Sequence, residues 1–259
     1  GFGAGGRNAG FVMTLFGASL GLMKTLHGAE KVRAAHAHME RSIAALETML
    51  EEHALDCDYQ RSGFLKVATT PRYAARIKDE IATLEALGIH GHQWIGADEL
   101  SARVHSPTYL GAMVEPGCGL INPRKWVDGL AGVARGAGAV IYENSPVKNV
   151  RREGGRFRLE SNGATVTAEK VVFASNGYTH LIPGMRSKQL PAFVFIVVTE
   201  PLTEAQRASI GWAGREGIED GRNFMHFYRL TPDNRLLMGG GPGFVPLGGR
   251  MNHDAHPAA

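Results

Sequence analysis

The sequence predicts a mixed α/β (α+β) fold, on three observations. Residues 170–174 form an apolar run that stops at Ser-Asn-Gly, which is typical of a strand buried on both faces. Segments 30–55 and 70–88 carry apolar residues at three- and four-residue spacing, the pattern of amphipathic helices. Short alternating runs between turn residues, in 147–168 and 193–238, predict antiparallel strands. A chain of 259 residues is long enough for one large domain or two ordinary ones.

Composition and charge narrow the class of protein. A net charge of +3 without a dense Lys/Arg block argues against nucleic-acid binding. The two cysteines, Cys57 and Cys118, indicate a reducing compartment, so we expect a cytoplasmic location. The apolar stretch 9–23 is too short to cross a bilayer, so no transmembrane segment is predicted. The oligomeric state stays undetermined.

The first residues form a glycine-rich loop. Residues 1–6 match G-x-G-x-x-G, but no strand precedes them, and no acidic residue ends a second strand about 20 positions later. We therefore do not interpret them as a dinucleotide fingerprint. The loop also carries Arg7 and Asn8, and Arg7 is suited to contact a phosphate, while a mobile terminus is the alternative interpretation. Because the chain begins like the middle of a domain, we expect its true N-terminus to lie upstream.

Histidines occur in and after the two predicted helices. His36, His38 and His53 lack the i, i+4 spacing of a helical zinc site, so we interpret them as solvated. Thr70 and Pro71 predict the start of the second helix, and Gly88 lies past its end. His90 and His92 follow, but no carboxylate or cysteine stands near them in sequence. No metal site is predicted.

The middle of the chain predicts a βαβ-like unit. Residues 109–119 are interpreted as a glycine- and proline-rich loop, and Asn122-Pro123 as the start of a helix that ends near Gly136. Residues 140–142 then predict a strand.

The β-meander of 147–168 leads into the strand 170–174. In open α/β sheets, ligands bind at the carboxyl ends of strands, and Ser175, Asn176 and Gly177 would let a ligand approach the backbone closely. An ordinary buried strand ended by an ordinary turn is the alternative.

The second β region, 193–238, predicts a separate antiparallel sheet. In a strand over 224–230, period-two geometry places His226 and Tyr228 on one face and Arg229 on the other. Without a bulge, Tyr228 and Arg229 cannot both point into one pocket.

Several segments together resemble one family. The chain is similar to FAD-dependent oxidoreductases of the D-amino-acid-oxidase-like family, which includes glycine and sarcosine oxidases, and most similar to its γ-glutamylputrescine oxidase-type branch. The matching segments, in chain order, are residues 5–10, 119–123 with 127–130, 171–179, 199–202 and 227–240.

The resemblance implies two interleaved domains. An FAD-binding, Rossmann-like domain with a β-meander would comprise 1–55 and 116–185, and an antiparallel-sheet substrate domain would comprise 56–115 and 186–259. The FAD-contacting residues it implies are Gly6, Arg7 and Asn8 on the flavin side, Val147 at the adenine end, and Ala174, Ser175, Asn176 and Gly177 beside the cofactor. Tyr228, Arg229 and His226 are the candidates for the substrate pocket, and no catalytic residue is assigned.

The chain also departs from the family pattern. The opening strand, its G-x-G-x-x-G, the ribose-binding acidic residue and the C-terminal segment are all missing, so we expect a truncated domain pair. In related sarcosine oxidases the missing C-terminal region holds the cysteine attached to the flavin. Neither Cys57 nor Cys118 is a candidate for it, so the expected FAD is non-covalent.

The activity implied is oxidation of a small-molecule primary or secondary amine, or an amino acid, by hydride transfer to flavin. The resulting imine would hydrolyse. Two alternatives stay open: an inactive scaffold of this fold, and a flavin dehydrogenase acting on a 2-hydroxy acid. The sequence does not identify the amine or the electron acceptor.

Overall fold

The computed structural model describes residues 3–14, 19–182 and 184–245, so the first two residues of the G-x-G-x-x-G match lie outside the described residues. The α-helices of this part of the chain are α1 (Leu20–His27), α2 (Ala29–Glu52), α3 (Pro71–Ala86), α4 (Ala97–Ser101), α5 (Pro123–Gly136) and α6 (Glu204–Ile210). The predicted starts of α3 and α5 are confirmed. The Thr70 hydroxyl accepts a hydrogen bond from Tyr73 N, and the Asn122 side chain accepts from Arg124 N and Lys125 N.

The largest sheet has seven strands in the order β3-β4-β2-β10-β11-β12-β9. Its strands are β2 (Phe64–Ala68), β3 (Gln93–Gly96), β4 (Gly111–Glu115), β9 (Ile196–Pro201), β10 (Gly217–Asp220), β11 (His226–Leu230) and β12 (Arg235–Gly240). All neighbouring pairs are antiparallel except β2 and β10, which are parallel. The antiparallel second β region is therefore confirmed as part of a larger sheet.

The prediction of a loop over 109–119 is wrong in its first half. β4 lies between β2 and β3, and all five of its residues are buried. The apolar residues Ala112–Val114 are paired with β2 on one side and β3 on the other. This pairing and burial favour a strand despite the turn-forming residues around it. At the end of the predicted loop, Gly119 begins the short strand β5 (Gly119–Leu120), which pairs with β1 (Phe11–Val12) in a two-stranded ladder.

The predicted β-meander is confirmed as an antiparallel sheet of β6 (Val147–Glu153), β7 (Arg156–Ser161) and β8 (Ala164–Ala168). The buried strand predicted over 170–174 is wrong, since Val172 is 87% exposed and Phe173 43%. A strand needs a hydrogen-bonded neighbour, and none of the described sheets provides one here. The strand predicted at 140–142 is absent from the described sheets for the same reason, so the βαβ-like unit is not formed.

The hydrophobic core has two parts. One packs Leu65, Val67 and Ile218 of the sheet against Leu100 of α4. The other joins α1, α2 and α3 to the sheet through contacts that include Leu20, Val32, Ile77, Leu84 and Met113.

The interpretation of the α2 histidines as solvated is wrong for His36. His38 and His53 are exposed, but His36 is only 5% exposed. It follows Val32 by four residues and so belongs to the buried stripe of α2, which Ile43 continues.

Within the described residues, no helix combines the length and apolar character that a bilayer crossing requires.

Candidate active site

The two faces of the seven-stranded sheet are set by its register. Lys66 of β2 lies beside Glu219 of β10, which lies beside Phe227 of β11. Residues paired across strands point to the same face, so these three side chains share one face. Tyr228 lies opposite Ile218 on the other face, which carries the core around Leu65. Arg229 therefore shares the face of Phe227, while His226 and Tyr228 share the opposite face.

A cavity of about 930 Å³ lies between the sheet face that carries Phe227 and residues 3–13, which we call the glycine-rich segment. Its walls come from Asn8, Ala9, Gly10, Phe11 and Met13 of that segment, from Phe64, Lys66, Glu219 and Phe227 of the sheet, and from Arg76 and Glu80 of α3, among others. This volume falls within the range of about 300–1,000 Å³ that is usual for small-molecule sites. Aromatic rings and a few charged groups thus enclose a space large enough for a cofactor ring and a small substrate.

The wall formed by the glycine-rich segment is shaped by Asn8. Its side-chain amide donates to the carbonyls of Ala4 (3.1 Å) and Gly5 (3.0 Å), and its Oδ1 accepts from Gly10 N at 2.8 Å. Gly10 has a φ of +73°, a conformation that a side chain would strain. The Asn8 side chain therefore fixes the backbone conformation of residues 4–10.

Phe11 attaches this segment to the sheet. Its ring meets those of Phe227 (5.8 Å between centroids) and Phe64 (6.2 Å) edge to face. The contact requires Gly217 underneath, since a Cβ built there would lie 2.5 Å from Phe11 Cε1. These contacts fix the distance between the two walls of the cavity.

Three charged groups of the cavity wall, Lys66, Glu80 and Glu219, lie close together. Lys66 Nζ lies 2.9 and 3.0 Å from the two carboxylate oxygens of Glu80, and 4.0 Å from Glu219. Burial raises the pKa of Glu219, and the attraction of Lys66 only partly offsets it. The wall can therefore offer a neutral carboxyl group or a carboxylate, depending on pH.

The three predicted substrate-pocket residues lie outside the walls of this cavity. Tyr228 packs against the core and its hydroxyl accepts from that of Tyr109 at 3.3 Å. His226 Nδ1 lies 3.1 Å from a carboxylate oxygen of Asp220.

Arg229 is 6% exposed and lies under the glycine-rich segment, since its Nη2 would be 3.2 Å from a Cβ at Gly10. Burial lowers the pKa of Arg229, and the nearby Asp58 opposes that shift.

The predicted cofactor residues divide between two places. Val147, Ala174 and Ser175 come together in the wall of a second cavity, of about 510 Å³, between the β-meander and residues 171–182. Asn176 and Gly177 begin the short 3-10 helix Asn176–Leu181 that follows. Gly6 ends a 3-10 turn, Ala4–Gly6, and Arg7 follows it; neither lines either of these two cavities.

The two places are neighbours in the structure. A Cβ built at Gly3 would lie 3.8 Å from Tyr178 Cε2, and Tyr178 lines the second cavity. A long, two-ended cofactor such as FAD needs one compartment for its ring system and another for its adenine. The two cavities, which adjoin the same glycine-rich segment, fit that requirement.

Neither thiol forms part of the wall of these two cavities. Cys57 and Cys118 are each 2% exposed and line neither cavity. Burial raises the pKa of each thiol, which disfavours the reactive thiolate.

Several residues of the large cavity were missed from the sequence. Phe11, Lys66 and Glu219 depend on contacts between segments that are distant in the chain, so no local pattern marks them. Phe227 could have been identified from the sequence, because alternation along its strand places it on the same face as Arg229.

Comparison with known proteins agrees with this architecture. Residues 1–258 match the profile of the family described as FAD dependent oxidoreductase (DAO). The chain is 28% identical over 243 residues to gamma-glutamylputrescine oxidoreductase of Escherichia coli strain K12, which covers 93% of this chain and 56% of that relative. The chain thus spans little more than half the length of that relative.

Two solved structures share the fold. Glycine oxidase from Geobacillus kaustophilus superposes with a TM-score of 0.68 at 21% identity, over 94% of this chain and 62% of that one. L-proline dehydrogenase from P. horikoshii superposes with a TM-score of 0.73 at 19% identity, over 96% and 62%. The family match over almost the whole sequence, together with this shared fold, shows that the chain belongs to the DAO family of FAD-dependent oxidoreductases.

Proposed function

We propose that this protein oxidises a primary or secondary amine, or an amino acid, to an imine that then hydrolyses in water. The observation that carries the proposal is the cavity between the Asn8–Phe11 segment and the seven-stranded sheet. The names of the related proteins support the substrate class, since gamma-glutamylputrescine, glycine and proline each carry an amine nitrogen.

When bound, FAD supplies the acceptor for the hydride that leaves the substrate carbon beside the nitrogen. We assign its flavin side to Gly6, Arg7 and Asn8. Val147 would lie at its adenine end, and Ala174, Ser175, Asn176 and Gly177 beside it. Support comes from the proximity of Gly3 to Tyr178, from Asn8 in the wall of the large cavity, and from Val147, Ala174 and Ser175 in the wall of the second one.

The side chains of the large cavity would orient the substrate and exclude water. Phe11, Phe64 and Phe227 supply apolar, aromatic surface, against which the reacting C–H bond can be held. Lys66, Glu80 and Glu219 supply the polar end, where an amine can be hydrogen-bonded. The substrate-contact roles predicted for Tyr228, Arg229 and His226 remain predictions, and their positions outside the cavity walls make them supporting residues in this proposal.

The test is anaerobic mixing of the flavin-loaded protein with panels of primary amines, secondary amines, amino acids and 2-hydroxy acids, while the yellow flavin absorbance is followed. We expect bleaching with at least one compound that has a C–H bond beside an amine nitrogen. Lasting yellow colour with every amine would contradict the proposal, and bleaching by 2-hydroxy acids alone would favour the hydroxy-acid dehydrogenase.

An inactive scaffold is the second candidate, favoured by the position of the proposed cofactor residues Gly6 and Arg7 outside the walls of both cavities. Absorbance spectra of the purified protein with and without added FAD separate the two. Stoichiometric flavin absorbance supports the enzyme, and a protein that stays colourless with excess FAD supports the scaffold.

We further propose that FAD is held without a covalent bond, since both thiols are buried and neither lines the two cavities. Acid precipitation should leave the flavin in the supernatant; yellow pellets would contradict this. The two unpaired thiols also support the proposed cytoplasmic location.

A further inference from the structure

Three metal-ligating side chains from three separate elements meet in the interior. His36 comes from α2, His92 from the segment before β3, and Glu115 from the end of β4, and one ligand atom of each lies within 4.8 Å of the others. They are 5%, 9% and 3% exposed, respectively. None of them lines the two cavities described above, so the cluster is separate from the candidate active site.

The charge of Glu115 needs a partner. Thr14 Oγ1 donates to Oε1 of Glu115, the Cys118 thiol is within hydrogen-bonding reach, and His92 Nε2 lies 3.7 Å from Oε2. Among the described residues, no lysine or arginine forms an ion pair with Glu115. A buried carboxylate is costly unless a cation compensates it, and a bound metal ion at the two histidines would do so.

The geometry suits a zinc ion. Nitrogen and oxygen donors about 2.0–2.1 Å from a tetrahedral zinc ion lie roughly 3.4 Å apart, close to the 3.7 Å between His92 Nε2 and Glu115 Oε2. His36 Nδ1 lies 3.6 Å from a Glu40 oxygen, an ion-pair distance, and an outer carboxylate can orient a metal-bound imidazole through its other nitrogen. His92 Nδ1 is buried and has no hydrogen-bond partner in the described part of the chain.

We propose that His36, His92 and Glu115 bind a zinc ion that holds α2 against the β3–β4 edge of the sheet. A water molecule completes the tetrahedron. Because all three ligands are buried and lie outside both cavities, the role of the ion is structural.

The test titrates the purified, chelator-treated full chain with Zn²⁺ against a chromophoric chelator, and needs no enzymatic activity. We expect one zinc ion per chain and a higher Tm on zinc addition. Glu115→Gln and His92→Asn should each weaken zinc binding at least about tenfold. The matched controls His90→Asn and His38→Asn change exposed histidines two residues from the ligands, and should bind zinc like the original protein.

Two results would overturn the proposal: substoichiometric zinc in the original protein, or equal zinc affinity in Glu115→Gln and the control His90→Asn. If His92→Asn does not fold, Co²⁺ substitution of the original protein decides instead. Visible bands of four-coordinate cobalt that Glu115→Gln loses support the site, and their absence from the original protein contradicts it.

Discussion

The rings of Phe11 and Phe227 meet edge to face, with centroids 5.8 Å apart and an angle of 77° between their planes. Phe11 belongs to the glycine-rich segment and Phe227 to β11, so this contact joins the two walls of the large cavity. Such aromatic pairs contribute about 0.5–1.5 kcal/mol beyond the burial of their area. The shape of the large cavity, the predicted flavin compartment, therefore depends on the packing of the Phe11 ring against Phe227.

Gly217→Ala should displace the Phe11 ring from its position against the sheet. A methyl group there would lie 2.5 Å from Phe11 Cε1 and 3.2 Å from Leu120 Cδ2, and such overpacking costs about 1–3 kcal/mol of unfolding free energy. We expect lower stability in denaturant unfolding and weaker FAD binding in a flavin titration. Gly117→Ala is the control, because no atom lies within 4 Å of its Cβ position and the residue lines neither cavity. Equal unfolding free energies and equal FAD affinities of the two variants would contradict the proposed packing of Phe11 over Gly217.

Gly132→Ala in α5 should stabilise the protein. The position is helical, and the new methyl group meets no atom within 4 Å, so removal of the glycine gains about 0.5–1 kcal/mol of unfolding free energy. Gly129→Ala on the same helix is the comparison, because its methyl group would press on Leu55 Cδ2 at 3.3 Å. Chemical denaturation should place Gly132→Ala above Gly129→Ala; the reverse order would contradict the packing described for α5.

Asn122→Ala should lower the unfolding free energy by about 1–2 kcal/mol. Asn122 caps α5 through its Oδ1, and its Nδ2 donates to Asp58 Oδ2 at 3.0 Å, which ties the helix to the turn after α2. Asn122→Ser keeps a capping oxygen and loses only the bond to Asp58, so urea unfolding should place it between Asn122→Ala and the original protein. An unchanged midpoint for Asn122→Ala would rule out the capping role.

Glu219→Gln should change how stability depends on pH. Burial, and to a smaller degree the neighbouring Glu80 and Asp220, raise the pKa of Glu219 above its ordinary 4.5. The folded state then holds a proton that the unfolded chain releases, so this contribution is fully present below about pH 4.5 and is lost as pH rises through the folded-state pKa.

Unfolding free energies at about pH 5 and about pH 8 check this prediction. Relative to the original protein, Glu219→Gln should be more stable at the higher pH than at the lower one. Glu51→Gln, an exposed substitution on α2, is the control and should show no such difference. A pH-independent effect of Glu219→Gln would contradict the raised pKa.

Local signals were sufficient to predict much of the fold. The capping residues Thr70 and Asn122, the amphipathic stripes of α2 and α3, and the turns of the β-meander each act within a few residues, so the sequence displays them directly. The alternation over 226–230 also assigned faces correctly, because strand periodicity is local.

What the sequence did not reveal depends on neighbours distant in the chain. The run 170–174 has a strand-like composition, but in the described structure no strand lies beside it, and Val172 and Phe173 stay exposed. Conversely, Gly111–Glu115 became a buried strand because β2 and β3 enclose it. His36, His92 and Glu115 were missed as a group for the same reason, since three separate elements bring them together.

The single parallel pair in the seven-stranded sheet has a kinetic consequence. Strands β2, β3 and β4 come from residues 64–115, and the other four come from residues 196–240. Among the described strands, only the β2–β10 ladder joins these two halves of the sheet. During synthesis, one edge of β2 is therefore left without its partner until residue 220 has emerged from the ribosome. An unpaired strand edge is a template for aggregation, and closing so long a loop is slow. The interval before β10 is synthesised is thus the stage at which the free edge of β2 is exposed to pairing with other chains.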